Sequence, residues 1–109
     1  MRNIGIMGGT FNPIHMAHLI IAEIALEEAE LDEILFIPSG CSYLKDAADI
    51  LPAKERINMT GLAIEDNPKF ALSTIETDRE GNSYTCDTLL ELRERYPDQE
   101  NYLIVGADN

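Results

Sequence analysis

The only two histidines in the sequence, His15 and His18, stand three residues apart, shortly after Gly8-Gly9-Thr10-Phe11. On a helix that spacing puts both imidazoles on one face. Glycines ahead of a helix let the backbone approach a ligand closely, and the helix start offers unpaired N–H groups and a positive dipole end. Imidazoles beside such a helix end would lie close to whatever anion it holds. The residues alone also allow incidental surface histidines on a generic strand-to-helix turn. A metal site made by the pair is disfavoured, because no acidic or cysteine partner stands at ligand spacing. Neither G-x-G-x-x-G nor G-K-[ST] occurs, so the common dinucleotide and P-loop fingerprints are absent.

Alternating strand and helix patterns must position these groups. Asn3 to Met7 reads as a buried strand meeting a tight turn at Gly8-Gly9. Asn12-Pro13 fits an N-cap with proline at the first helical position. The helix then runs to Ala29, with Leu19, Ala22, Ile24 and Leu26 inward and Glu23, Glu27, Glu28 and Glu30 in water. EILFIP, Glu33 to Pro38, is a second strand, apolar enough for burial on both faces. Ser39 to Leu51 has no clear period. A second helix starts near Pro52 and runs to about Asp66. A third strand spans Phe70 to Thr77. A third helix, capped by Ser83 or Thr85, carries Leu89, Leu90 and Leu92 and stops at Tyr96-Pro97. A fourth strand spans Asn101 to Val105 and leads into Gly106-Ala107-Asp108-Asn109.

This β-α alternation predicts an α/β fold: a doubly wound, Rossmann-like parallel sheet with helices on both faces. No repeat, low-complexity tract or linker interrupts it, so residues 1–109 read as one domain. The chain stops just after a strand with no helix to cover that edge, and it is expected to be the N-terminal part of a longer domain. An exposed fourth strand invites pairing with another chain, which keeps a homo-oligomer in view. Ligands of such sheets bind beyond the strands' C-terminal ends, where strand order reverses. The segments GGTFNPIHMAH, PSGCSYLKD, the turn before SYTCDT, and GADN should therefore converge on one cleft.

The formal net charge of -12, with only eight Lys and Arg, argues against a nucleic-acid surface. A phosphate ligand must then be held by backbone N–H groups, histidines, a few cations or a metal. Two isolated cysteines, Cys41 and Cys86, fit a reducing cytoplasm better than a disulfide. No signal peptide or membrane-spanning run is evident. The expected location is the cytoplasm.

The chain resembles, from end to end, the nucleotidyltransferase superfamily with the H-x-G-H signature, and most of all its bacterial nicotinate-nucleotide adenylyltransferases. The matching residues are Gly8-Gly9-Thr10-Phe11, His15-Met16-Ala17-His18-Leu19, Ile37-Pro38, the stretch from Arg79 to Thr88, Arg95-Tyr96-Pro97 and Gly106-Ala107-Asp108. The resemblance implies AMP transfer from ATP to nicotinate mononucleotide, with Mg2+, giving deamido-NAD and pyrophosphate. It implies that His15 and His18 are catalytic contacts to the phosphates. Gly8, Gly9, Thr10, Phe11, Gly106 and Asp108 would line the ATP site with them. Lys45, Tyr84, Thr85 and Asp108 would bind substrate, with the nicotinate carboxylate at the helix start near Thr85. Read without the resemblance, Lys45 is a solvated loop cation as readily as a phosphate ligand, Tyr84-Thr85 a plain helix start, and Asp108 a tail residue.

Three departures stand out. Ala17 replaces the glycine between the histidines. Ser42-Tyr43-Leu44-Lys45 stands where the family commonly has P-P-H-K. The family's later S-x-T-x-x-R segment is not in the sequence, so the chain alone is expected to be inactive. The alternatives are a sister adenylyl- or cytidylyltransferase, such as one acting on phosphopantetheine, and a truncated, non-catalytic nucleotide-binding module.

Overall fold

The computed structural model describes residues 1–11, 14–40, 51–78 and 85–104. Its elements alternate as expected: β1 (Arg2–Gly9), α1 (Met16–Glu28), β2 (Glu33–Pro38), α2 (Ala53–Ile64), β3 (Phe70–Leu72), α3 (Thr85–Arg95) and β4 (Gln99–Leu103). The four strands form one sheet in the order β3-β2-β1-β4, and each adjacent pair is parallel. From β1 the chain steps outward to β2 and β3, then returns to lay β4 on the other side of β1. The order therefore reverses between β1 and β4, and β1 sits at the centre of the site-forming edge.

Period-two alternation along β1 and β2 divides the core. Met7, Ile34 and Phe36 point to one face, where Ala22 of α1 and Ile64 of α2 pack with them. Ile4, Ile6 and Ile37 point to the other, against Leu92 of α3 and Ile75. Both faces of the sheet are thus covered, which is why EILFIP is apolar throughout. Phe36 is 0% exposed, and its ring lies between Phe11 and Phe70, with centroids 6.1 and 5.1 Å away.

Several local expectations are corrected. β1 does not end in a turn at Gly8-Gly9; both glycines are strand residues, paired with Ile37 and Pro38 of β2. The left-handed backbone falls later, at Phe11, with φ 48°. Helix α1 opens at Met16 rather than after Asn12, because His15 takes the extended N-cap conformation, with φ -141° and ψ 178°. Asn12 and Pro13 themselves lie outside the described residues. Ile24, expected inward, is 54% exposed, because it shares the outer face of α1 with Ile20.

The third strand is shorter than expected. Past Leu72, short polar side chains satisfy the backbone locally: Ser73 Oγ accepts from Ile75 N–H, and Thr77 Oγ1 donates to the Thr74 carbonyl. Such side-chain bonds compete with a sheet ladder and turn the chain. Strand β4 begins early, at Gln99, because it pairs with Arg2 at the start of β1. Val105 lies outside the described residues.

Candidate active site

The carboxyl end of β1 delivers the chain to the reversal point. Gly9 accepts Ser39 N–H at 2.8 Å, tying the ends of β1 and β2 together. A Cβ on Gly8 would meet only the Ile37 carbonyl among the described residues, at an ordinary contact distance of 3.9 Å. The bare backbone of Gly8 thus leaves room for a ligand at the strand end. At Gly9 a Cβ would press on the Phe11 ring at 3.3 Å, so that glycine makes space for protein instead.

Phe11 turns the chain. Its φ of 48° is costly for a bulky residue, about 1–3 kcal/mol, and persists only when the surroundings enforce it. Burial does so here: Phe11 is 2% exposed and packs in the core with Met7 and Phe36. Its ring also meets His18 edge-on, with centroids 5.1 Å apart at 90°.

The histidines are brought together, though not as two helical residues. His15 is the N-cap and His18 the third residue of α1, and their rings lie 4.1 Å apart, tilted by 36°. His15 N–H donates to His18 Nδ1 at 3.1 Å. An accepting Nδ1 makes Nε2 the protonated nitrogen of the neutral ring. His18 is thereby oriented by the backbone it caps and by Phe11, while the His15 ring stands exposed. The first turn of α1 contains no acidic residue of its own to compete for its positive end. Helix α3 differs: Asp87 already occupies its first turn. Of the two helix starts, that of α1 is the stronger anion site.

One residue of the site was not legible as such. Arg56, on the buried stripe of α2 with Thr60 and Ile64, is 2% exposed. Its Nε donates to the Leu51 carbonyl at 2.8 Å, and Nη1 to the carbonyls of Thr10 at 3.0 Å and Ser39 at 2.7 Å. Nη2 reaches the Gly40 carbonyl at 3.4 Å. Desolvation by burial pulls this guanidinium below its ordinary pKa, and no carboxylate is paired with it among the described residues. The signal was available, since an arginine shares a helical face with Thr60 and Ile64, but a cation on that stripe has no meaning until its acceptors are known.

Gly8, Gly9, Thr10, Phe11, His15 and His18 therefore gather at one end of β1. Lys45, Tyr84, Gly106, Asp108 and the Thr85 side chain lie outside what the structure describes, as does the Ser42–Lys45 loop. The backbone start of α3 at Thr85 agrees with the expected helix start, and Thr88 Oγ1 anchors it to Glu76 Oε2 at 2.8 Å. Cys86 is an exposed free thiol, and no helix among the described residues is long and apolar enough to cross a membrane.

A curated relative from Lachnoclostridium phytofermentans, a probable nicotinate-nucleotide adenylyltransferase, is 51% identical over 109 residues, covering 100% of this chain and 54% of its own. The nicotinate-nucleotide adenylyltransferase of Bacillus subtilis is 45% identical over 108 residues, covering 99% of this chain and 57% of its own. Among solved structures, the Plasmodium falciparum nicotinic acid mononucleotide adenylyltransferase complexed with NaAD superposes with a TM-score of 0.78 at 26% identity. That match covers 94% of this chain and 51% of the other. The chain spans about half the length of the curated relatives it matches. Residues 6–109 match the profile of the cytidylyltransferase-like family, and with the sheet order, the glycine-ended first strand and the paired imidazoles, the chain belongs to that family.

Proposed function

We propose that this chain forms the triphosphate-binding half of an enzyme that transfers AMP from ATP to nicotinate mononucleotide, in the cytoplasm. The observation that carries this reading is the imidazole pair, 4.1 Å apart, at a helix start whose first turn has no acidic residue, with one ring against Phe11 just past the glycine-ended strand. The relatives' names and the NaAD held by the Plasmodium protein support the choice of nucleotide.

The chemistry needs no general base, because the mononucleotide's phosphate oxygen is already anionic. That oxygen attacks the α-phosphorus of ATP and forms the new P–O bond. The bond from the α-phosphorus to the bridging oxygen breaks, and pyrophosphate leaves with the electron pair. The barrier lies in aligning two anions and in the charge that builds on the transferring phosphoryl group. His15 and His18 donate to those oxygens, together with the first N–H groups of α1. Gly8 and Gly9 admit the nucleotide, and Thr10 and Phe11 shape the turn over it. Lys45, Gly106 and Asp108 complete the nucleotide contacts, and Tyr84 and Thr85 receive the nicotinate carboxylate.

Mg2+ would arrive with ATP and screen its charge. Among the described residues no group of three or more His, Cys, Asp or Glu could hold a metal ion, so these residues alone do not fit a protein-held cation.

The test is an acceptor panel on the protein translated from the coding region through to its own stop codon, with the 109-residue chain in parallel. With ATP and nicotinate mononucleotide, the expected products are deamido-NAD and pyrophosphate, with a clear preference over the amide mononucleotide. Equal or reversed preference refutes the acceptor. Transfer only to phosphopantetheine, or only from CTP, assigns a sister enzyme. ATP binding without turnover in any pairing supports the non-catalytic module.

A further inference from the structure

We propose that Arg56 is a positioning residue of the nucleotide site, setting the Thr10–Phe11 peptide and, through Phe11, the His18 ring. The inference rests on the reading that Thr10 and Phe11 line the ATP site. It extends that reading to a residue from a distant helix that touches no substrate itself.

The geometry is specific. A guanidinium presents five donors in a rigid planar fork. Here that fork is spent on four backbone carbonyls from three segments: Thr10 after β1, Ser39 and Gly40 after β2, and Leu51 before α2. Strand ends that leave a sheet side by side carry carbonyls that no ladder satisfies, and their mutual repulsion would splay them. One buried cation collects them. The arrangement differs from an ordinary buried ion pair, because among the described residues the guanidinium meets backbone carbonyls and no carboxylate.

Orientation follows from peptide geometry. In a trans peptide the C=O and the following N–H point in opposite directions. Drawing the Thr10 carbonyl inward at 3.0 Å turns the Phe11 N–H away from the guanidinium. It also stabilises the left-handed Phe11, which the chain would otherwise leave for an ordinary φ. The Phe11 ring then stands edge-on to His18 at 5.1 Å, so a relaxed turn would take that support from the imidazole. Lysine cannot substitute: a single ammonium lacks the planar spread that serves Leu51 on one side and Gly40 on the other.

The experiment compares Arg56→Lys and Arg56→Met with wild type in the protein carried to its own stop codon. Folding is checked by circular dichroism, ATP affinity by calorimetry, and the Phe11–His18 ring contact by its NMR cross-peak without ligand. Arg56→Lys is expected to fold, lose the cross-peak, and bind ATP about ten-fold or more weakly, since small misplacements in such sites are costly. In turnover, KM for ATP should rise while that for the mononucleotide stays within about two-fold, whereas a merely unstable enzyme loses kcat with its active fraction. Wild-type ATP affinity with an intact cross-peak in Arg56→Lys overturns the proposal. Failure of Arg56→Lys to fold also overturns it, in favour of a purely structural role. If wild type binds no ATP, the functional reading fails, and the ligand-free cross-peak alone decides the positioning claim.

Discussion

Removing the imidazole of His18 separates its two tasks, because they differ in size. In the fold, His18→Ala deletes the acceptor for His15 N–H at 3.1 Å and the edge contact with Phe11 at 5.1 Å. Losing a helix-capping bond costs about 1 kcal/mol, and losing an aromatic pair about 0.5–1.5 kcal/mol. These two losses together, roughly 2 kcal/mol, are a tolerable part of the ~5–15 kcal/mol that holds a domain folded. In catalysis, deleting one donor to a developing oxyanion costs about 10²–10³ in rate. His18→Ala is therefore expected to melt cooperatively, lower by several degrees, and to lose turnover by two to three orders of magnitude, on the order of an oxyanion-hole deletion. The assay is pyrophosphate release at saturating ATP and nicotinate mononucleotide, below the variant's melting transition. His18→Gln is the control, since glutamine at the third helical position can accept the N-cap N–H. It should recover most of the melting temperature and only part of the rate. A folded His18→Ala protein with near-normal turnover would remove the imidazole pair from the mechanism.

Three further substitutions probe the surrounding scaffold. Gly8→Val should leave the melting temperature near wild type, because the new Cβ would make only an ordinary contact with the Ile37 carbonyl at 3.9 Å, while ATP affinity falls steeply in calorimetry; unchanged affinity would mean that no ligand passes over Gly8. Gly5→Ala meets Ile34 Cδ1 and Leu31 Cδ1 at 2.7 Å, the far ends of flexible side chains. A loss of about 1 kcal/mol by urea unfolding is expected, at the low end of overpacking costs. Adding Ile34→Val should return part of that loss. Phe36→Ala empties a fully buried site between Phe11 and Phe70, and should cost about 3–5 kcal/mol while weakening ATP binding through the loosened Phe11. Unchanged ATP affinity in a folded Phe36→Ala protein would uncouple that core from the site.

Much of the architecture was legible because it rests on local periodicity. EILFIP could only be a strand buried on both faces, and its observed limits, Glu33–Pro38, match the reading residue for residue. Leu89 and Leu92 share a helical face, and both pack against the sheet. Alternation of strand and helix implied parallel pairing, which three parallel ladders bear out. The His15–His18 proximity was also legible, since three-residue spacing spans one helical turn and His15, as N-cap, begins that turn.

What stayed hidden depends on contacts between distant segments. That β4 returns beside β1, setting the reversal point at the glycine-ended strand, is a pairing choice that no local pattern encodes. Gly8-Gly9 read as a turn because glycine is permissive, yet pairing with β2 kept both in the strand and moved the left-handed residue to Phe11, where burial of the ring offsets the strain. Arg56 is the clearest case. By itself it is one cation on a helix; only the fold brings the carbonyls of Thr10, Ser39, Gly40 and Leu51 to it. Side-chain type and spacing thus determined which groups could meet a phosphate. The tertiary structure decided how they are held, because the acceptors that orient them come from strand ends far apart in the chain.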